Sequence, residues 1–390
     1  MIARKLSKKL RELAASYPVV VVTGPRQSGK TTLCQSCFPD HAYVSLESLD
    51  NREFAAADPR GFLAQHPDGA VLDEIQHAPQ LMSYLQSDVD SNPLHGRYVL
   101  TGSQHFSLSQ AITQSLAGRC GALTLLAPDY EELQQFQNAP RTLPEVLFQG
   151  AYPRIYDREI PAGQWLRDYT TTYIERDVRQ ITNVGDLQRF TAFLRLIAGR
   201  VATELNLSSI GNDSGITHNT ARSWLGILET SHLVARLPAW HRNVNKQVIK
   251  APKLHFLDSG LVCSLLGIRT ADQVMQHPLR GAIFESWVYS ELYKSQLNIG
   301  LPRPMYFYRE SRGLEVDVLI DCDDYLQVIE IKSGATLNTD YFANFAKVPE
   351  RLADTSLPSV IQDILVYGGD QQQTRQNIKV LPWSRASRIS

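Results

Sequence analysis

The sequence predicts an α/β chain of more than one folded unit: an open parallel sheet first, then a helical middle ending in a short strand pair, then a second α/β unit. Three observations predict it. A run of valines from Val19 to Val22 ends in Thr23-Gly24 and opens a helix, as a strand buried on both faces of a parallel sheet does. Residues 203–257 read as helix, turn, helix and two alternating stretches. Past residue 300, short apolar strands carry single acids and follow an amphipathic helix. A chain of 390 residues is also longer than one hydrophobic core usually supports.

Composition narrows the classes. With 43% hydrophobic and 20% charged residues and little low-complexity sequence, ordered units are expected rather than long disordered arms. A formal net charge of -1 gives no general attraction to nucleic acid, so any such contact needs local basic surface. Residues 1–13 are basic and amphipathic but lack the apolar core and cleavage site of a secretory signal. No later segment has the length and apolarity to span a bilayer, so a cytoplasmic protein without a membrane partner is expected. The five cysteines fit reduced thiols. Cys34 and Cys37 form a CxxC with no second Cys/His pair, which reads as small residues packed on one helix.

The loop after the valine strand reads Gly24-Pro25-Arg26-Gln27-Ser28-Gly29-Lys30-Thr31, with Thr32 continuing into the helix, and it matches GxxxxGK[ST] at each fixed position. Glycines let backbone N–H groups close around phosphates, Lys30 neutralises the β/γ charge and the Thr31 hydroxyl can ligate Mg2+. A second strand, Ala70-Val71-Leu72, ends in Asp73-Glu74. There Asp73 is expected to hold the magnesium and Glu74 to polarise the attacking water, so ATP and Mg2+ are the expected ligands. Residues 98–100 form a third strand running into Thr101-Gly102-Ser103-Gln104, and residues 43–46 and 123–126 supply two more.

GPRQSGKTT, VLDEIQ, YVLTGSQ and SLAGR (Ser115 to Arg119), followed by GAYPRIY (Gly150 to Tyr156), resemble in that order the AAA-type ATPases of bacteria and archaea that carry an uncharacterised C-terminal region. The resemblance covers nearly the whole chain. It implies an AAA-type nucleotide-binding domain, a polar γ-phosphate sensor at Thr101 or Ser103, and a homo-oligomer, with a hexameric ring the usual outcome. It also implies that Arg119 acts as an arginine finger or as a sensor in cis. Gln104 departs from the serine common in such sequences and leaves the sensor residue open. The stretch EVLFQG (Glu145 to Gly150) looks like a protease-cleavage tag, but it runs straight into GAYPR and reads as native.

The middle is helical from Trp165 to Arg200, with Tyr169, Tyr173, Phe190, Phe193, Leu194 and Ile197 near helical spacing and a charged cluster at Arg176, Asp177 and Arg179. A helix at residues 204–210, a turn at 211–215, a helix from Thr217 and strands at 233–237 and 253–257 predict a winged helix. No acid lies between Glu229 and Asp258, whereas Arg236, Arg242, Lys246, Lys250 and Lys253 all fall there. Such a wing can lie along DNA phosphates, with His218 and Arg222 on the preceding helix near a groove.

At the C-terminus a helix from Arg280 carries Glu285, the strand 314–320 carries Asp317, and the strand 326–331 leads into Glu330-Ile331-Lys332. An acid on a helix, Asp on one strand and ExK on the next is the PD-(D/E)xK nuclease arrangement. Residues two apart in a strand share a face, so Glu330 and Lys332 project together and can meet Asp317. Glu285, Asp317 and Glu330 are the expected magnesium donors, and Lys332 the group that orients the attacking water. The same end of the resembling family looks nuclease-like.

The expected organisation is an ATPase domain at 1–150, a helical linker at 151–202, a winged helix at 203–275 and a nuclease-like domain at 276–390. The expected function is ATP-dependent processing of DNA, with branched or recombining DNA as substrate by analogy with junction resolvases of similar nuclease fold. The rival is an ATP switch that does not cleave, its last domain only binding nucleic acid or protein. A chaperone-like remodeller would leave the ExK arrangement unexplained.

Overall fold

A computed structural model describes residues 2–102, 115–174, 187–240, 251–300, 302–310, 313–352, 358 and 360–389. Contacts divide the chain into two compact units. The first comprises Met1–Pro128 with Thr230–His232 and Leu297–Gly300, and the second comprises Asp129–Glu229, Leu233–Gln296 and Leu301–Ser390.

The first unit begins with α1 (Leu6–Ala14), β1 (Val19–Thr23), α2 (Lys30–Cys37) and β2 (Ala42–Ser45). It continues through α3 (Leu49–Ala57), α4 (Pro59–Ala64), β3 (Ala70–Asp73), α5 (Leu81–Ser91), β4 (Tyr98–Gly102) and β5 (Cys120–Thr124). The strands form one parallel sheet in the order β2-β3-β4-β1-β5. Alternate valines of β1 serve opposite faces, as strand geometry requires. Val19 and Val21 join Leu72, Leu100, Leu81 and Leu85 in one core, while Val20 and Val22 join Leu6 and Leu10 of α1 and Leu33, Cys34 and Cys37 of α2 in the other. The CxxC cysteines are thus packing residues, and burial pushes the Cys34 thiol up. The register sets Thr23 opposite Gly102 and Ser45 opposite Asp73, so the carboxyl ends of β1, β4 and β3 share one edge.

The second unit opens with α6 (Tyr130–Leu133), α7 (Leu143–Gln149), α8 (Pro153–Asp157) and α9 (Ala162–Tyr169). The first compact unit ends its main stretch at Pro128, and the chain from Asp129 belongs to the second. Hydrogen bonding gives the reason: the Tyr130 N–H donates to Glu291 and the Ala151 N–H to Asp258, tying this stretch to side chains 161 and 107 positions downstream. The long helix expected from Trp165 breaks after Tyr169 into a π-helical turn, Thr170–Ile174, where Thr170 donates its hydroxyl to the Leu166 carbonyl. Arg176, Asp177 and Arg179 lie outside the described residues.

Next come α10 (Leu187–Ala198), α11 (Leu207–Ser214), α12 (His218–Thr230) and the antiparallel pair β6 (Val234–Leu237) and β7 (Lys253–Phe256). Helix α11 begins later than expected because Asn206 caps it, accepting from the Ser209 N–H at 2.9 Å. Trp224 of α12 meets Phe190 and Phe193 of α10 edge-on, at 5.2 and 5.5 Å. The unit closes with α13 (Ser259–Leu265), α14 (Ala271–Gln276) and α15 (Arg280–Ile299), then β8 (Met305–Arg309), β9 (Glu315–Asp321) and β10 (Leu326–Lys332). Beyond these lie α16 (Val348–Leu352), β11 (Ile361–Tyr367), β12 (Gln373–Arg375) and β13 (Ile378–Pro382). Strands β8 to β13 make one mixed sheet in the order β12-β13-β11-β10-β9-β8.

The strand pair is not a free wing. All four residues of β7 are buried, and its backbone is held on both sides. The Ala202 N–H donates to the Leu254 carbonyl, the Leu254 N–H to Thr203, and the Phe256 N–H to the Ser286 hydroxyl of α15. The middle and C-terminal regions cluster as one compact unit.

Candidate functional site

The loop from Gly24 to Lys30 is shaped by residues that accept unusual backbone angles. Gly24 has φ +145°, and a Cβ there would lie 2.0 Å from the Leu125 carbonyl oxygen, so a side chain is excluded. Gly29, at φ +94°, turns the chain into α2. Lys30 is buried in the loop it closes, its ammonium donating to the Gly24 and Pro25 carbonyls at 3.0 and 2.9 Å. Burial holds its pKa below the ordinary lysine value. Arg26 stands 4.0 Å from Glu47, Ser28 is fully buried, and Thr32 is exposed on the first turn of α2. Arg4, which carried no sequence signal, braces the loop from behind by donating to the Ser28 and Leu126 carbonyls at 2.9 and 2.8 Å.

Asp73 is the meeting point. The Thr31 hydroxyl lies 3.1 and 3.0 Å from its two oxygens, the Tyr43 hydroxyl donates at 2.7 Å, and Thr101 donates from the intervening strand. Thr101 also accepts the Glu74 N–H at 3.3 Å, and Gln76 donates to the Glu74 carboxylate. Glu74 itself takes a left-handed backbone, φ 56°. The expected sensor position on β4 therefore does reach between the two motifs, through Thr101, while Ser103 and Gln104 lie outside the described residues. Tyr43 has no motif signature, and only the pairing of β2 with β3 brings it here, whereas Gln76 follows Glu74 by two residues. Thr31 and Asp73 present hard oxygens side by side, a donor set that fits Mg2+.

Arg119 is placed elsewhere. It precedes β5, its carbonyl accepts the Val19 N–H, and its guanidinium pairs with Asp90 at 2.6 and 2.9 Å. Five residues of strand separate this edge from the phosphate loop, about 16 Å at the usual rise. The expectation that Arg119 senses the γ-phosphate in cis is thereby corrected, because parallel register puts it at the amino edge of the sheet.

In the second unit the residues of the ExK pattern converge. Lys332 donates to Glu330 at 2.7 Å and to Asp317 at 3.2 Å, and the Ile331 N–H donates to Asp317 at 2.8 Å. Asn344 holds Glu330 from the other side at 3.2 Å. Glu285 reaches the same place from α15, but through Lys253, a residue expected on a DNA-facing wing. Lys253 is 3% exposed, donates to Glu285 at 2.9 Å and pairs with Glu315 at 3.0 Å. It is a buried ion-pair residue, which corrects its assignment to basic surface. Of the other wing cations, Arg236 pairs with Glu229, and Arg242, Lys246 and Lys250 lie outside the described residues. His218 and Arg222 remain exposed on α12.

Burial, reinforced by the charge of Asp317, raises Glu285 to about 8 and Glu330 to about 7. The oxygen donors suit a hard divalent cation in kind. Among the described residues, however, no three acidic, histidine or cysteine side chains already converge as ligands, since two ammonium groups stand between the carboxylates. No helix among the described residues is long and apolar enough to cross a membrane.

Comparison with known proteins matches residues 140–272 to a domain of unknown function (DUF8612) and residues 280–386 to another (DUF4143). Uncharacterized proteins of Mycobacterium tuberculosis and Mycobacterium bovis are each 26% identical over 358 residues, 90% of this chain and 78% of theirs. Among solved structures, the Walker-type ATPase of Pyrococcus abyssi is 17% identical with a TM-score of 0.47, covering 68% of this chain and 96% of that one. A STAND signal-transduction ATPase of Pyrococcus horikoshii with a tetratricopeptide repeat sensor is 12% identical with a TM-score of 0.23, covering 77% and 48%. Residues 16–134 match the AAA domain, and the loop and strand geometry above, that of a P-loop nucleotide-binding fold, lies within that match.

Proposed function

We propose that this chain hydrolyses ATP with magnesium in its first unit and uses that cycle to control metal-dependent cleavage of DNA by its second. The observation that carries the first half is the convergence of Thr31, Thr101 and Tyr43 on Asp73 beside the Lys30 loop. Backbone N–H groups of the loop from Arg26 to Thr32 cradle the phosphates, and Lys30 leaves its loop carbonyls for the β/γ oxygens. Thr31 and Asp73 would hold the ion, which when bound would neutralise phosphate charge. Glu74 polarises the attacking water, and Thr101 links Asp73 to the Glu74 backbone. Arg119 acts in trans, as a finger supplied by a neighbouring copy in a homo-oligomeric ring, a hexamer in the simplest case.

The second half rests on Glu285, Asp317, Glu330 and Lys332 meeting from one helix and two strands. Glu285, Asp317 and Glu330 would hold a divalent ion that polarises a phosphodiester, while Lys332 orients the water. The middle region, residues 203–275, is read as a winged helix gripping DNA by the exposed face of α12, with His218 and Arg222. Branched or recombination-intermediate DNA is the proposed substrate, in the cytoplasm. One observation favours the alternative, a non-cleaving ATP switch: both lysines already engage the carboxylates. Incubating junction, flap, single-stranded and linear DNA with Mg2+, with and without ATP, separates the two. The parent should cut, Asp317→Ala and Lys332→Ala should not, and Lys30→Ala should lose ATP turnover and the ATP effect. Equal cutting by Asp317→Ala sinks the site, and no product from any protein leaves the switch.

A further inference from the structure

The ExK pattern does not account for Lys253. It comes from β7, upstream of every acid it touches, yet its ammonium is 2.9 Å from Glu285, 3.0 Å from Glu315 and 3.9 Å from Asp317. The same nitrogen lies 5.4 Å above the Phe307 ring, which closes the remaining side. Lysine is almost never this buried without paired charge, and here the pairing is with the acids that would bind metal. Lys332 neutralises the other flank, between Asp317 and Glu330. One oxygen each of Glu285, Glu315 and Asp317 therefore lies within 4 Å of a cation belonging to the chain.

We propose that Lys253 is an internal counter-cation for this site, standing where a divalent ion would sit between Glu285 and Asp317, so that metal binds only as Lys253 leaves. The inference rests on reading these acids as metal donors. Because the β7 backbone is pinned to Thr203 and to Ser286, the part that yields is the flexible four-carbon side chain. A merely stabilising ion pair predicts the opposite sign. Removing it would loosen Glu285 and weaken metal binding, whereas removing a competing charge strengthens it.

Calorimetric titration of the full chain with Mn2+, without nucleotide, distinguishes these. Lys253→Met should bind Mn2+ at least about tenfold more tightly than the parent, and the gain should vanish in Lys253→Met/Asp317→Ala. Equal or weaker binding by Lys253→Met overturns the inference, and if parental binding still depends on Asp317 the metal reading survives it. Binding indifferent to Asp317 in both backgrounds removes the metal reading and the inference with it. Should Lys253→Met fail to fold, the parent answers through acetylation by a water-soluble ester, read by peptide mass spectrometry. Saturating Mn2+ should raise labelling of Lys253 at least about fivefold as the ammonium is released, and unchanged labelling overturns the proposal.

Discussion

Glu285 and Glu330 carry opposite-looking duties, being buried acids that must also be available as anions. Their folded pKa values, about 8 and about 7, lie above the ordinary carboxylate value of 4.5. Burial is the first cause in both, and the neighbouring Asp317 charge the second. Between the unfolded value and the folded ones, the native chain holds protons that the unfolded chain has released. The contribution of these two acids to stability therefore falls as pH rises from about 4.5 to about 8. Across that window the melting temperature of the parent should fall relative to that of Glu285→Gln/Glu330→Gln, whatever slope the other groups, buried His255 among them, impose on both proteins. The variant differs because an amide has no proton to lose. Scanning calorimetry at half-unit pH intervals in the absence of divalent ions tests it, and parallel curves for the two proteins would show that these acids are ionised throughout.

Local elements were the legible part of this chain. A valine strand, a glycine loop and a helix are contiguous, so their geometry follows from nearest neighbours, and the same holds for β3 ending at Asp73 and for β10 carrying Glu330 and Lys332. What the residues could not disclose was the burial of β7. Lys253 sits in a basic stretch, and its partners lie 32 or more residues downstream, reached only when α15 and β9 fold over it. Local charge pattern and long-range burial give opposite readings there, and burial prevails because a folded ion pair satisfies the ammonium. The helices before it behave more simply. Trp224 fills the space between α12 and α10 against Phe190 and Phe193, all buried. Trp224→Ala should cost about 3–5 kcal/mol. Urea titration followed by far-ultraviolet circular dichroism measures this, and a loss below about 1 kcal/mol would show that the aromatic contact is not what holds these helices.

At the scale of the whole molecule, the parallel sheet of the first unit poses a question of assembly. It collects Lys30, Thr31, Asp73 and Glu74 at its carboxyl edge and leaves Arg119 at its amino edge, paired with Asp90. One copy cannot bring that guanidinium to its own phosphates without unfolding β5. If Arg119 serves the reaction, a second copy must present it, and the requirement can be counted. In a mixture of equal amounts of Lys30→Ala and Arg119→Ala proteins, each inactive alone, a competent site forms only where an intact Lys30 faces an intact Arg119. Random assembly supplies that pairing at about a quarter of the interfaces. ATP turnover in the mixture should therefore recover to about a quarter of the parental rate per chain and should fall on dilution below the assembly constant. No recovery, with both variants still co-assembling on a sizing column, would mean that Arg119 does no more than hold Asp90 on its own surface.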